Sequence, residues 1–396
     1  MFLDYTPEQQ ALRDEVRSYF AGLLTPEVRA RLAEGEPGEG GAAYREVVAR
    51  IGADGWLGVG WPKEYGGQGR PATDQFILFD EIQRAGAPFP FVTINTVGPT
   101  IMAFGSDDQK AFFLPRILRG ELHFAIGYTE PEAGTDLASL RTRAVRDGDE
   151  YVVNGNKVFT SGANFADYIW LACRTDPEAP KHKGISILLV PTSSPGFKAT
   201  PITTVGGVQT TATFYDDLRV PVGNRVGDEN EGWRMITTQL NHERVGLASI
   251  GGLAHRLWDD TLTWTRETES GAGDGSHMID LPWVQMDLAR THARLEAMKL
   301  LNWRMASAVG AGTLNPADSS AVKVYGTECL IDVYRTLLGV LGAAGWVRAG
   351  SPGAALRGEV ERAARAAQIN TFGGGVNEVQ REIVAAAGLK MTRHAR

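Results

Sequence analysis

The chain has 396 residues, a net charge of −7 and a pI near 5.6, with 43% hydrophobic and 22% charged residues. These are the proportions of a globular protein of two or three domains, and without a basic stripe they exclude a nucleic-acid partner. The only two cysteines, Cys173 and Cys329, are too far apart in sequence to form a disulfide framework or a metal site, which points to a reducing cytoplasm.

The opening MFLDYTPEQQALRDEVRSYF carries no basic leader before an apolar core. No apolar run reaches the ~18 residues of a spanning helix, so neither secretion nor a membrane is expected. Thr6 as N-cap, Pro7 at the first helical position and Gln9 three residues after the cap predict a helix start. Amphipathic runs near 6–23, 41–55, 72–86 and 107–119 make residues 1–123 a helical domain, broken by loops such as EGEPGEGG and GWPKEYGGQG.

From residue 124 the apolar period changes from helical to alternating. Asp147-Gly148 and Asn154-Gly155 read as hairpin turns. Strands are expected in ADYIWLACRT, GISILLVPT, GFKATPI and TATFYDDLRVPV. Residues 124–231 are therefore a middle β domain, a small barrel or sandwich between two helical blocks. Residues 232–396 return to helical spacing over 233–266, 283–309, 318–342 and 359–370, a four-helix bundle. A last helix is expected to start at Asn377 as N-cap and to stop at Gly388. The fold class is α+β multidomain, in the order α, β, α.

Three stretches carry chemistry. FAIGYTEPEAGTDLASL, residues 124–140, is an apolar strand that ends in a turn bearing Tyr128, Thr129, Gly134, Thr135 and Asp136. Such a loop serves either as a cradle for a flat polar ligand or as a turn that satisfies its own backbone. NGNKVFTSGAN places Phe159, Thr160 and Ser161 after an alternating run, with Phe159 either a ligand-covering ring or a core strand residue. In MITTQLNHERV, Glu243 shares a helix face with Ile236, Leu240 and Leu247, and Gln239 and Leu247 at i±4 offer it no cation. Burial there would raise its pKa toward the range of a general base; pairing with Arg244 or with a cation from another helix would make it structural.

YTEPEAGTD closely resembles the T-E-P-x-A-G-S/T-D signature of the acyl-CoA dehydrogenases, and WPKEYGG, NGNKVFTS and TFGGGVNEVQR resemble three further segments of that family. The resemblance spans essentially the whole chain and implies the acyl-CoA dehydrogenase fold with FAD as cofactor. It implies that Tyr128, Thr129, Gly134, Thr135, Phe159, Thr160, Ser161, Asn377 and Glu378 hold the flavin. Asn377 and Glu378 also read as an ordinary helix cap, and Phe159 stands where relatives have Trp.

In this family the catalytic base lies either on the helix that here carries Glu243 or in the loop before the last helix. In that loop the usual Glu aligns on Gly374, which cannot take a proton, so Glu243 is the base that the resemblance implies. Thr135, Arg244 and Gly374 are the implied substrate contacts, with the Gly374 N–H at the enolate oxygen. Two segments that relatives extend to a neighbouring subunit are altered: TWTRETESGAGDG keeps Arg266 without a following Phe-Gly, and GVLGAAGW has Gly339 in place of Gln. An unlike partner subunit is therefore expected.

Together these features resemble the base-bearing subunits of bacterial heterotetrameric acyl-CoA dehydrogenases acting on steroid side-chain thioesters, with an electron-transfer flavoprotein as acceptor. A flavin oxidase or monooxygenase of the same superfamily is the rival enzyme reading, and a flavin-free scaffold subunit the rival outside catalysis. Gly246, Gly251 and Gly252 after the base mark either space for a bulky substrate or close helix packing.

Overall fold

The computed structural model of the chain describes residues 4–34, 41–247 and 251–392, with 240–247 described as backbone only. The N-terminal domain contains α1 (Pro7–Leu23), α2 (Pro26–Glu34), α3 (Ala42–Ala53), α4 (Ala72–Ala85), a π-turn at Thr93–Val97, α5 (Gly98–Phe104) and α6 (Asp107–Leu118). Helix α1 starts as its sequence predicts. Thr6 accepts from the Gln9 N–H, and the Gln9 side chain accepts from the Thr6 N–H, so two orphan donors of the first turn are satisfied. Helix α2, α5 and the π-turn are additions to the four helices expected there. The π-turn TINTV is buried throughout and has no amphipathic period to reveal it.

The middle domain holds β1 (Phe124–Gly127), β2 (Arg143–Asp147), β3 (Glu150–Lys157), β4 (Tyr168–Arg174), β5 (Ile185–Pro191), β6 (Phe197–Thr203), β7 (Gln209–Pro221) and β8 (Arg225–Val226). Hydrogen bonding runs β6-β7-β3-β2-β4-β5-β8, with β1 parallel to β4. The β2 to β4 link is the single pair Arg143 and Arg174, so two four-stranded halves meet over a shared core that includes Tyr151, Val153, Ile169, Leu171, Leu188, Val190 and Leu218. Strands β4 and β5 read as nearly continuous apolar runs because both faces are covered. Ile169, Leu171 and Cys173 turn to this core, and Trp170 and Ala172 to the helical N-terminal core. Cys173 is free, and burial pushes its thiol up to about 12.

One hairpin expectation holds and one fails. Asp147 pairs with Glu150 across a tight turn with Gly148 at φ 63°. Asn154-Gly155 lies inside β3 instead, at a β-bulge where the register against β7 shifts. Gly155, at φ 146°, lies against Thr142, where an added Cβ would stand 2.6 Å from the hydroxyl. An Asn-Gly pair thus serves as a bulge when the strand on each side already has a partner.

The C-terminal domain has α7 (Gly232–Leu247) and α8 (Gly251–Glu267) on either side of the undescribed residues 248–250, then α9 (Pro282–Gly310), α10 (Pro316–Leu341), α11 (Glu359–Ala366) and α12 (Asn377–Ile383). Helix α10 is the hub, packed on α7, α8, α9, α11 and α12. Contrary to the sequence expectation, the segment Pro316–Trp346 is long and apolar enough to cross a membrane by length and composition. Half of its most apolar window is buried against the other helices, so its hydrophobicity is that of a bundle core. The last helix also differs in detail: Val376 is its N-cap and Asn377 its first residue, and the left-handed residue past its end is Lys390, not Gly388. Asn377 is turned inward by buried partners on α10, which outcompete the local cap.

Candidate active site

The 128–136 loop is tied to the end of β3 by a buried ion pair. Lys157, fully buried, gives hydrogen bonds to Glu130 Oε1 at 2.8 Å and to the Tyr128 carbonyl at 2.9 Å. Glu130 also accepts from the backbone N–H groups of Arg141 at 2.7 Å and Thr142 at 2.8 Å. Burial raises the Glu130 carboxyl, but the ammonium and these donors outweigh it and hold it below the usual carboxylate range. A further bond, from the Val158 N–H to the Thr129 carbonyl at 2.8 Å, brings Tyr128 and Thr129 beside Phe159, Thr160 and Ser161.

Phe159 is not a strand residue. Strand β3 ends at Lys157, and Phe159 stands beyond it at φ 61° with 61% of its surface exposed. A non-glycine side chain in left-handed backbone carries strain of about 1 kcal/mol or more. The bond from the Thr160 N–H to the Thr211 carbonyl, at 2.9 Å, pins the next residue. Thr160 is buried with its hydroxyl 3.4 Å from that of Thr213, so it faces the sheet interior, not an open cradle. Ser161 is exposed, with its hydroxyl 2.9 Å from Thr210 Oγ1.

Gly134 and Thr135 are exposed. Gly134 is not in left-handed backbone, and a Cβ there would meet nothing nearer than Thr129 Cγ2 at 3.9 Å. The chain itself thus leaves open the space in front of Gly134. An apolar ring held outward on strained backbone, an exposed hydroxyl and a glycine facing open space fit the flat face and polar edge of a flavin.

A second anchor joins this loop to α7. Trp170 Nε1 donates to the Tyr128 hydroxyl at 3.1 Å, and that hydroxyl donates to Gln239 Oε1. Gln239 is 1% exposed, and its Nε2 has no hydrogen-bond partner among the described residues. It sits one helical turn before Glu243 on α7. The backbone places Glu243 and Arg244 on that helix, while their side chains lie outside the described residues.

Gly374, Asn377 and Glu378 form a separate group. Gly374 and Gly375 take φ 66° and 95°, a backbone that disfavours a side chain such as the glutamate expected there from the family resemblance. Lys323 of α10 donates to the Gly375 carbonyl at 2.7 Å and to Asn377 Oδ1 at 2.8 Å, and Asn377 Nδ2 donates to Thr327 and Glu328 at 3.1 Å each. Asn377 is buried in this network and Glu378 is exposed. Among the described contacts, α10 holds this group, and none joins it to residues 128–161.

Sequence reasoning missed Lys157, Glu130, Trp170 and Gln239 as parts of the site. Lys157 and Glu130 lie within the quoted motifs. Gln239 is a polar residue on the Glu243 stripe, a signal available without the structure.

Three linked domains with this loop, this β3 terminus and the helix that carries Glu243 define a flavin-dependent acyl-CoA oxidoreductase. The chain belongs to the acyl-CoA dehydrogenase family: the models of its N-terminal, middle and C-terminal domains match residues 6–121, 125–218 and 230–389. It is 56% identical to acyl-CoA dehydrogenase FadE26 of Mycobacterium tuberculosis over 99% of both chains, and 51% identical to FadE29 of the same organism, again over 99% of both. Among solved structures, the Tcur3481-Tcur3483 steroid ACAD matches at 60% identity and TM-score 0.94, covering both chains completely. The ChsE4-ChsE5 complex from M. tuberculosis matches at 55% identity and TM-score 0.93, also over both whole chains.

Proposed function

We propose that the chain is the base-bearing subunit of a cytoplasmic heterotetrameric acyl-CoA dehydrogenase that forms the α,β-enoyl thioester of a sterol- or steroid-derived side-chain CoA. The observation that carries this reading is the full-length 60% identity to a chain of the Tcur3481-Tcur3483 steroid ACAD. A second complex, of two differently named chains, matches at 55%.

Removing a weakly acidic Cα proton needs a positioned carboxylate, and Glu243 is assigned that role. Helix α7 packs Met235 and Ile236, at 1% and 0% exposure, into the N-terminal core, so the base rides on a rigid element at a domain junction. Gly374 replaces the alternative base, and its N–H is assigned to the enolate oxygen, with Thr135 and Arg244 as the other substrate contacts. Tyr128, Thr129, Gly134, Thr135, Phe159 and Ser161 would hold FAD from the middle domain, and Asn377 and Glu378 from the C-terminal one. Thr160 contributes by fixing the backbone between Phe159 and Ser161. When bound, FAD supplies the acceptor for the Cβ hydride and passes the electron pair to an electron-transfer flavoprotein.

The test is flavin absorbance and native mass of this chain purified alone and after co-expression with a second, unlike acyl-CoA dehydrogenase subunit. Flavin bound only in the complex, near one per pair of unlike chains, supports the shared site. A yellow homo-oligomer with one flavin per chain refutes it.

A further inference from the structure

Two buried carboxamides stand on elements that touch. Gln239 is on α7, and Asn95, 7% exposed, is on the π-turn Thr93–Val97 that packs against α7. Each has its oxygen engaged and its nitrogen without a partner. Gln239 Oε1 accepts from the Tyr128 hydroxyl, which is itself oriented by receiving the Trp170 N–H. Asn95 Oδ1 accepts from Gln75 Nε2 of α4 at 3.3 Å. Among the described residues, Gln239 Nε2 and Asn95 Nδ2 are both buried with no hydrogen-bond partner, as is Thr96 Oγ1 beside Asn95.

Buried donors are almost always satisfied, so clustered exceptions call for a ligand or trapped water. Because both amide oxygens are already used, the free groups are N–H donors, and what completes them is a hydrogen-bond acceptor. Gln239 stands one turn before Glu243 on α7 and accepts from Tyr128, the residue that opens the proposed cofactor loop, so its unpartnered donor lies on the element that carries the proposed base.

Resting on the function proposed above, we infer that Gln239 and Asn95 are specificity-determining residues that bind an acceptor oxygen on the acyl group. The enzyme then selects an oxygenated acyl chain, bearing a keto, hydroxyl or carboxylate oxygen, over a plain hydrocarbon one. A π-turn, which tends to occur at functional sites, presents Asn95 in place of a regular helix.

The experiment uses the co-expressed complex and a set of CoA thioesters matched in length and branching. A keto oxygen is walked along the acyl chain, and a methylene occupies that carbon in the reference. For at least one keto position, wild-type kcat/KM exceeds that of the reference by about tenfold or more, as for a site built to hydrogen-bond its substrate. Asn95→Leu and Gln239→Leu, tested separately, each bring that ratio down toward one whatever their absolute rates. A wild-type ratio near one at every position, with turnover of all thioesters, overturns the donor site and leaves the dehydrogenase reading standing. No turnover of any thioester defeats that reading and the donor site with it. If either variant fails to assemble, the wild-type ratio decides alone.

Discussion

Replacing Lys157 by Met tests whether the buried ion pair is what holds the cofactor loop. Methionine keeps most of the lysine stem but removes the ammonium, leaving Glu130, 8% exposed, as a buried charge whose Oε1 retains only the Thr142 N–H. Breaking one partner of a buried pair costs about 3–5 kcal/mol, and the Tyr128 carbonyl also loses its donor. At about 2 °C per kcal/mol for a chain of this size, the melting temperature should fall by roughly 6–10 °C.

Two further outcomes distinguish a stranded charge from a lost side chain. Lys157→Met combined with Glu130→Gln removes both charges and should melt above Lys157→Met alone, because a paired charge can be deleted at little cost whereas a stranded one cannot. In Lys157→Met alone, burial is left to raise the Glu130 carboxyl above its unfolded value. The deficit is therefore largest at high pH and shrinks as the pH falls and the carboxyl takes a proton. Thermal melts of both variants at pH 5.5 and 8, with flavin content read in parallel, provide the check. A Lys157→Met protein that melts and binds flavin like wild type, or a double variant no more stable than the single one, would refute the argument.

Glu243→Gln in the reconstituted complex should lower turnover by about 10²–10⁴-fold, the usual contribution of a general base; full activity ends the assignment. Phe159→Gly relieves the left-handed strain and should stabilise the flavin-free chain by about 1 kcal/mol while weakening flavin binding, measured by melting and by flavin titration. His123 is buried, and burial, with Arg45 nearby, pushes its pKa down to about 4. It is neutral in the fold, so its stability contribution of about 3 kcal/mol is complete above the unfolded pKa near 6.5 and is lost as pH falls toward 4. His123→Phe should flatten the melting temperature between pH 7.5 and 5, and an unchanged acid slope would exclude His123 as its source.

The domain order, most long helices, the two apolar central strands and the capping box at Thr6 were legible in the sequence. Each rests on local periodicity or on groups within four residues of one another, and the family motifs added a candidate cofactor loop and Glu243 as a candidate base. What the sequence could not decide depends on partners far away along the chain. Asn154-Gly155 has the composition of a hairpin turn, and only the pairing of β3 with β7 makes it a bulge. Asn377 has the composition of an N-cap, and only its partners on α10, Lys323, Thr327 and Glu328, about 50 residues earlier, turn it inward. Phe159 has the composition of a strand, and its left-handed backbone is imposed between the Val158 bond to Thr129 and the Thr160 bond to Thr211. Gln239 is an unremarkable helix residue until Tyr128, 111 residues away and itself oriented by Trp170, takes its oxygen and leaves its nitrogen unpaired among the described residues. Local sequence sets which backbone a segment prefers, but whether a polar group is satisfied, stranded or free for a ligand is decided only when the domains close around it.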